Sequence, residues 1–310
     1  MEFTMKITKT LKKILSLSLI AVMLCVSLVG MTSCKSDSLY AAYGKQLESV
    51  KAPENAEKTL TVVMSPDFAP MEFVYVNGTK QEIVGFDVLL ANYLAKELGM
   101  KVEIKPMSFD ACQAAVQAGN ADIGLSGFSW MPDRAENFEI TDYYIAGTNE
   151  TEQIIITTKE NEGKLTKVED FKGLKIGYQG ASLQEYLVET TFKDVAELVP
   201  YGDIGTATEA LKTGTINALV VAGGNGDSII ANASGAIAKS GYKFELEEKL
   251  KNNVGIIQKG NKELLEKVNA ALDKAMKNNY YSDWYEACQI LAKSKTIDEL
   301  GYDENGNKIK

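Results

Sequence analysis

Val116-Gln-Ala-Gly-Asn-Ala-Asp-Ile-Gly-Leu125 and Leu211-Lys-Thr-Gly-Thr-Ile-Asn-Ala-Leu-Val220 are the two stretches on which the architecture turns. Each runs from a helix end, through a glycine, into an apolar strand. Glycine just past a helical pattern is a stop signal, because it reaches left-handed backbone angles without a Cβ penalty. A second echo accompanies them: Lys58-Thr-Leu-Thr-Val-Val63 and Lys172-Gly-Leu-Lys-Ile-Gly177 each read as a strand leading into a loop and a helix. These echoes point to two lobes built on one α/β plan. Open α/β sheets collect ligands beyond the carboxyl ends of their strands. Two such lobes facing each other would hold a ligand in the cleft between them.

Outward from these stretches, strand and helix patterns alternate. Leu60–Met64 reads as a buried strand stopped by Ser65-Pro66-Asp67, and Phe73–Val76 with Glu82–Val84 reads as a hairpin turning at Asn77-Gly78. Phe86–Leu98 is apolar at helical spacing and ends at Gly99; Val102–Ile104 is the next strand and Phe109–Ala118 the next helix. Residues 146–153 form a polar break where the chain can cross between lobes, and Lys251-Asn252-Asn253 offers a return. From Asn261 to Ala292 the pattern is one or two amphipathic helices, whose aromatic cluster at Tyr280, Tyr281, Trp284 and Tyr285 reads as packing. The organisation expected is residues 58–148 with 252–310 as one lobe, and 149–251 as the other.

The chain starts with a basic head at Lys6, Lys9, Lys12 and Lys13, an apolar run over residues 14–30, and then Met31-Thr32-Ser33-Cys34. That order is a secretory signal, which places the working domain outside the cytoplasm. Residues 1–34 are therefore read as leader, and the polar residues 35–57 as a tether. The leader holds four of the 33 basic and one of the 42 acidic residues, so the remaining 276 residues carry a net charge of −12. An acidic surface disfavours nucleic acid, whose binding rests on Lys and Arg neutralising phosphates. Cys112 and Cys288 each sit in an apolar helical pattern and are read as buried free thiols.

Two counts narrow the chemistry. Histidine is absent, which removes imidazole acid–base catalysis and Ser-His triads. Arginine occurs once, at Arg134, among 33 basic residues. A planar fork grips a carboxylate with two parallel hydrogen bonds, which lysine does not supply.

Seven motifs in order carry a resemblance over roughly residues 60–284. They are Ser65-Pro-Asp-Phe-Ala-Pro-Met-Glu-Phe73, Val84-Gly-Phe-Asp-Val88, Met107-Ser-Phe-Asp-Ala111, Ala121 through Arg134, Phe138-Glu-Ile-Thr-Asp-Tyr-Tyr144, Asp170-Phe-Lys-Gly-Leu-Lys-Ile-Gly177 and Lys259-Gly-Asn-Lys-Glu-Leu264. With them the chain resembles the family 3 extracellular solute-binding proteins, polar amino-acid receptors of ABC importers. The resemblance implies a two-lobed, periplasmic-binding-protein-like (type II) α/β fold with a cleft between lobes. It implies a monomer without cofactor or enzymatic activity that hands a small carboxylate, an amino acid above all, to a membrane permease. Met-Thr-Ser-Cys resembles a lipobox, which would acylate Cys34 and anchor the chain to the membrane.

Residue by residue, the resemblance implies that Arg134 holds the ligand's α-carboxylate, while the carbonyl of Gly127 and the hydroxyl and amide of Ser129 complete that half of the site. Phe68 and Phe109 match the aromatic sandwich. Gln179, Ser182 and Leu183 match a loop whose N–H groups meet the same carboxylate at a helix N-terminus, and Ser65 a position that reads the ligand's side chain. Where the family places an aspartate for the α-ammonium, this chain has Ala222. Either Asp227 swings in to restore the pair, or the ligand carries no ammonium there. Relatives that became dehydratases, for which Glu72 and Asp227 are candidate groups, and sensory modules are the alternative classes.

Overall fold

The computed structural model describes residues 34–77, 80–144 and 152–293. Residues 1–33 of the leader, Gly78 of the expected Asn77-Gly78 turn with Thr79, and most of the first crossing lie outside the described residues. The first part of the chain supplies β1 (Thr59–Met64), β2 (Asp67–Phe68), β3 (Glu72–Asn77), β4 (Lys80–Val84), β5 (Lys101–Pro106), β6 (Ile123–Ser129) and β7 (Phe138–Ile140). The middle supplies β8 (Gln153–Thr158), β9 (Lys175–Gln179), β10 (Glu197–Tyr201), β11 (Ala218–Ala222) and β12 (Ile237–Lys243), and β13 (Asn253–Gln258) follows.

These strands make two five-stranded sheets, β5-β1-β6-β13-β7 and β10-β9-β11-β8-β12, and a small antiparallel sheet β2-β3-β4. In each large sheet three strands are parallel with the earliest at their centre, and the next strand is antiparallel to them. The sequence echoes occupy equivalent places: β1 and β9 are the middle strands of the parallel trios, and β6 and β11, at the centre of each sheet, end the paired helix-glycine stretches. The fourth strands are exchanged. β8 enters the second sheet after the first has been laid down, and β13 returns to the first sheet after the second. Two crossings therefore tie the halves together, the hinge arrangement of a two-lobed binding fold.

Both faces of each sheet are covered, as parallel strands require. Leu60, Val62 and Met64 pack with Leu89, Leu90 and Trp284 on one side of the first sheet, and Val63 with Phe109, Cys112 and Phe128 on the other. Ile156, Leu211 and Leu219 fill one face of the second, and Ile155, Phe171 and Phe192 the other. Two helices, Lys262–Lys277 and Tyr280–Lys293, close the described chain, and the aromatic cluster packs: Trp284 is fully buried against Phe86, Tyr93 and Tyr281. Cys112 and Cys288 are free, buried thiols.

One expectation changes. Most of the tether is a helix, Cys34–Val50, packed on the first lobe. Tyr43 and Val50 are buried in its core, and Tyr40 donates to Glu82 Oε2 at 2.9 Å. Tyr40, Tyr43, Leu47 and Val50 repeat at intervals of three and four, the stripe of a helix that docks. Polar residues between them hide that stripe in a reading by composition.

Candidate functional site

The cleft lies between the carboxyl ends of the parallel strands of the two sheets. From the first lobe it is lined by Phe68, Phe109, Ser126, Gly127, Ser129 and Asn253, and from the second by Gln153, Gln179, Ser182, Leu183, Gln184, Ile204 and Ala222. In this conformation the open space is about 20 Å³, room for one water. Small-molecule pockets run to about 300–1,000 Å³, so the lobes are drawn together here and must part to admit a solute. A larger hollow of about 700 Å³, bordered by Lys58, Glu97, Asp122 and Lys274, shares no residue with the cleft and opens among charged surface side chains.

Arg134 sits on the helix Pro132–Asn137, which begins three residues after β6 ends, so the strand end sets it behind Ser129 of the cleft wall. It is 3% exposed. Its Nη1 donates to the carbonyl of Ser129, its Nη2 to the carbonyl of Ala181 in the opposite lobe at 3.0 Å, and its Nε to Gln113 Oε1 at 3.4 Å. The guanidinium lies 5.2 Å from the ring centre of Phe128, a cation–π contact. Burial lowers its pKa to about 10, opposed only by the nearby charge of Asp133. Among the described residues no carboxylate pairs with it. Three of its five N–H groups are used, two of them by main-chain oxygens from opposite lobes.

Beside it, Ser182 caps the nine-residue helix Leu183–Thr191 by accepting from Glu185 N, and donates to the carbonyl of Gln179 at 2.6 Å. Ser182, Leu183 and Gln184 thus bring a helix N-terminus to the cleft wall, where the macrodipole and unpaired N–H groups favour an anion. Gly127 holds φ +55°, and a Cβ there would stand 2.4 Å from the Phe68 ring, so only glycine lets this backbone pass beneath the aromatic.

Beneath that floor lie two carboxyls, Glu72 and Asp87, both fully buried. Glu72 Oε1 accepts from Ser126 Oγ at 2.6 Å; Asp87 Oδ2 accepts from Gly127 N at 2.9 Å and Tyr144 Oη at 3.2 Å. Glu72 Oε2 and Asp87 Oδ1 have no donor among the described residues, yet the two groups stand within hydrogen-bond reach. One proton between them satisfies both. Burial, then the charge of Asp87, pushes Glu72 well above the ordinary carboxyl range, and burial raises Asp87 to about 6. Both shifts favour the protonated form, and the pair braces the floor through Ser126 and Gly127.

A third carboxyl joins the lobes. Asp67 on β2 accepts at Oδ2 from Ile204 N at 2.7 Å and Gln179 Nε2 at 3.2 Å, both in the second lobe, and at Oδ1 from Ser65 Oγ at 3.0 Å. Burial raises its pKa, against those hydrogen bonds. Asn225 Nδ2 adds contacts to the carbonyls of Asp67 and Ala69.

Of the residues named from sequence, Phe68, Phe109, Gly127, Ser129, Gln179, Ser182 and Leu183 gather on the cleft wall, with Arg134 directly behind Ser129. Two are placed otherwise. Ser65 is buried but braces Asp67 rather than lining the cleft. Asp227 lies in the helix Gly223–Asn232 and pairs with Lys239 on β12 at 2.7 Å, so it does not take up the place left by Ala222. The stretch after Ala222 starts a helix at once, and helical geometry carries Asp227 away from the strand end. Sequence reasoning gave no site role to Ser126, Gln153, Gln184, Ile204 and Asn253; Ser126 lies in the fourth motif and Gln153 and Asn253 in the two crossings, while Gln184 and Ile204 carried no signal.

The described residues hold no helix long and apolar enough to cross a membrane. The chain is 26% identical over 223 residues to the L-cystine-binding protein TcyJ of Escherichia coli K12, covering 71% of this chain and 78% of TcyJ. It is similar to the amino-acid ABC transporter substrate-binding protein AbpA of Streptococcus pneumoniae bound to L-arginine, at 29% identity and TM-score 0.72, over 77% of this chain and 98% of that one. An ancestral arginine-binding protein bound to glutamine is similar too, at 32% identity and TM-score 0.66 over 74% and 97%. With the cleft, its lone arginine and the doubly crossed sheets in place, residues 60–287 match the bacterial extracellular solute-binding proteins, family 3, and the chain belongs to that family.

Proposed function

We propose that this chain is the amino-acid-binding component of an ABC importer, which captures its solute by its carboxylate as the lobes close. The observation that carries this reading is Arg134: a cation 3% exposed at the cleft, without a carboxylate partner among the described residues, beside a helix N-terminus from the other lobe. A buried guanidinium is costly without an anion, and a ligand carboxylate supplies one. Parting the lobes breaks the Arg134–Ala181 and Asp67–Ile204 bonds; closing over a solute restores them with water excluded. Ligand shifts that balance only by binding the closed form better. The closed form is what a permease would receive.

A leader that ends at Cys34 and is cleaved just before it, with Cys34 as the acylated new N-terminus, completes the proposal. The helix that starts at Cys34 would then hold the first lobe against the membrane, because it docks on that lobe. Incorporation of labelled palmitate that Cys34→Ala abolishes supports the anchor. For the binding role, calorimetric titration against amino acids and small organic acids identifies the ligand. Arg134→Lys should then weaken binding by about 2–5 kcal/mol, the range for breaking a buried charge pair; an unchanged affinity refutes the assignment.

A further inference from the structure

Two aromatic side chains of the first lobe, Phe68 and Trp130, pack against the apolar cores of both lobes. Phe68 does so on the cleft wall. Trp130, half-buried, follows Ser129 at the end of β6 and stands clear of the cleft lining. On its own lobe it packs against the cluster that holds Phe109, Cys112 and Phe128. Across the gap it packs against the cluster of Leu183, Leu187 and Leu250, all three buried in the second lobe. Lys249, beside Leu250, sets its Nζ 5.0 Å from the indole ring centre, a cation–π contact.

These contacts put Trp130 between the two halves of the carboxylate grip. Ser129, one residue earlier, gives its carbonyl to Arg134 Nη1. Leu183 opens the helix Leu183–Thr191, whose N-terminus faces the cleft, and Leu187 lies one turn further along it. Just before that helix, the carbonyl of Ala181 accepts from Arg134 Nη2 at 3.0 Å and from Gln113 Nε2 at 3.2 Å. Hydrogen bonds therefore hold the start of the helix to the first lobe, and the indole holds its apolar flank. The pull of a helix N-terminus on an anion fades within the first turn, so the seating of this helix decides whether both halves meet one carboxylate. The outer edge of Trp130 borders an open hollow with Ile140, Thr141, Tyr143 and Met276, so shortening the side chain leaves no sealed cavity in either core.

We propose that Trp130 is a positioning residue for ligand capture: it seats the helix Leu183–Thr191 on the first lobe and so sets how readily the protein closes, whichever amino acid is bound. It acts through Arg134 and the helix N-terminus. The inference rests on capture by closure at Arg134 and deepens it. Apparent affinity scales with the fraction of the protein in the competent state, so loosening this clasp should weaken every ligand by one common factor.

The test uses the full folded protein with Trp130→Ala and Trp130→Phe, each checked by urea unfolding. The probes are the twenty common L-amino acids, titrated one at a time by calorimetry, with stopped-flow mixing for the rates. Trp130→Ala should lose at least tenfold in affinity, by the same factor for each amino acid that the parent binds and chiefly through faster dissociation. Trp130→Phe should recover most of that loss. Unchanged affinity in Trp130→Ala overturns the inference and leaves Arg134 capture standing; a loss that differs from one amino acid to the next makes Trp130 a ligand contact and overturns it too. Failure of every amino acid to bind the parent defeats the proposed function and the inference with it. A second reading survives even if Trp130→Ala does not fold. The chain has two tryptophans, and Trp284 is fully buried in the first lobe. Saturation with the tightest-binding amino acid should shift the parent's tryptophan emission to the blue as Trp130 is covered, and Trp130→Phe should abolish the shift. A shift that persists in Trp130→Phe, or none in the parent, refutes the clasp.

Discussion

Replacing Glu72 with glutamine tests the proton held beneath the cleft floor. The amide offers what the protonated acid offers: an oxygen to accept from Ser126 Oγ and a donor toward the Asp87 carboxyl, without a titratable proton. Both carboxyls have folded-state pKa values above their ordinary ones. Raised values mean that the folded state binds the extra protons. Stability from the pair is therefore complete below the ordinary carboxyl range and is lost as pH rises through the raised values. For Asp87, moving from 3.8 to about 6 corresponds to about 3 kcal/mol lost between roughly pH 4 and 7. Glu72, raised as well by burial and by the charge of Asp87, contributes a loss of the same sign as pH rises. The variant keeps a permanent donor on Asp87, so its own curve should be flatter and it should be the more stable protein at pH 8. The assay is urea denaturation of both proteins from pH 4 to 9, where the other carboxyls titrate alike and cancel in the difference. Parallel curves, or a variant less stable than the parent at alkaline pH, refute the shared proton.

Other perturbations follow from the same geometry. Gly127→Ala puts a Cβ 2.4 Å from Phe68 at φ +55° and should cost about 1–3 kcal/mol; a thermal melt within a degree of the parent would show that the floor is soft. Asp67→Asn removes the charge that accepts from Ile204 N and Gln179 Nε2 across the lobes, and should weaken ligand affinity by about 1–2 kcal/mol. Calorimetry showing no change would leave that bridge idle in closure. Tyr43→Ala empties a fully buried site between the helix Cys34–Val50 and the first lobe. It should destabilise the fold by about 3–5 kcal/mol, measured by denaturant unfolding, whereas a true tether would tolerate it without effect.

Much of the cleft was legible because it is written in local rules. Arg134 stood out by count, since a chain that uses lysine everywhere else keeps one guanidinium where a fork is needed. Gly127 and Phe68 were legible as motif positions, and the structure adds the reason that they belong together, a backbone passing under a ring. Ser65 and Asp227 were legible only as polar residues near the right strands. Which way each faces depends on what lies opposite: Asp67 for the first, Lys239 for the second.

The sequence alone determined the alternation of strands and helices, the two-lobed plan and the single arginine at its centre. These follow from periodicity, glycine stops and composition, all of which act over a few residues. Tertiary structure decided the rest. Asn253 joins the cleft because β13 pairs with β6 across more than a hundred residues of chain, and Glu72 meets Asp87 because β3 and the helix Phe86–Glu97 pack together over the same core. The burial of Tyr43 in the same core as Trp284 and Cys288 is of the same kind. A side chain's partners are set by register and by the packing of distant segments, and those contacts exist only once the chain has closed on itself.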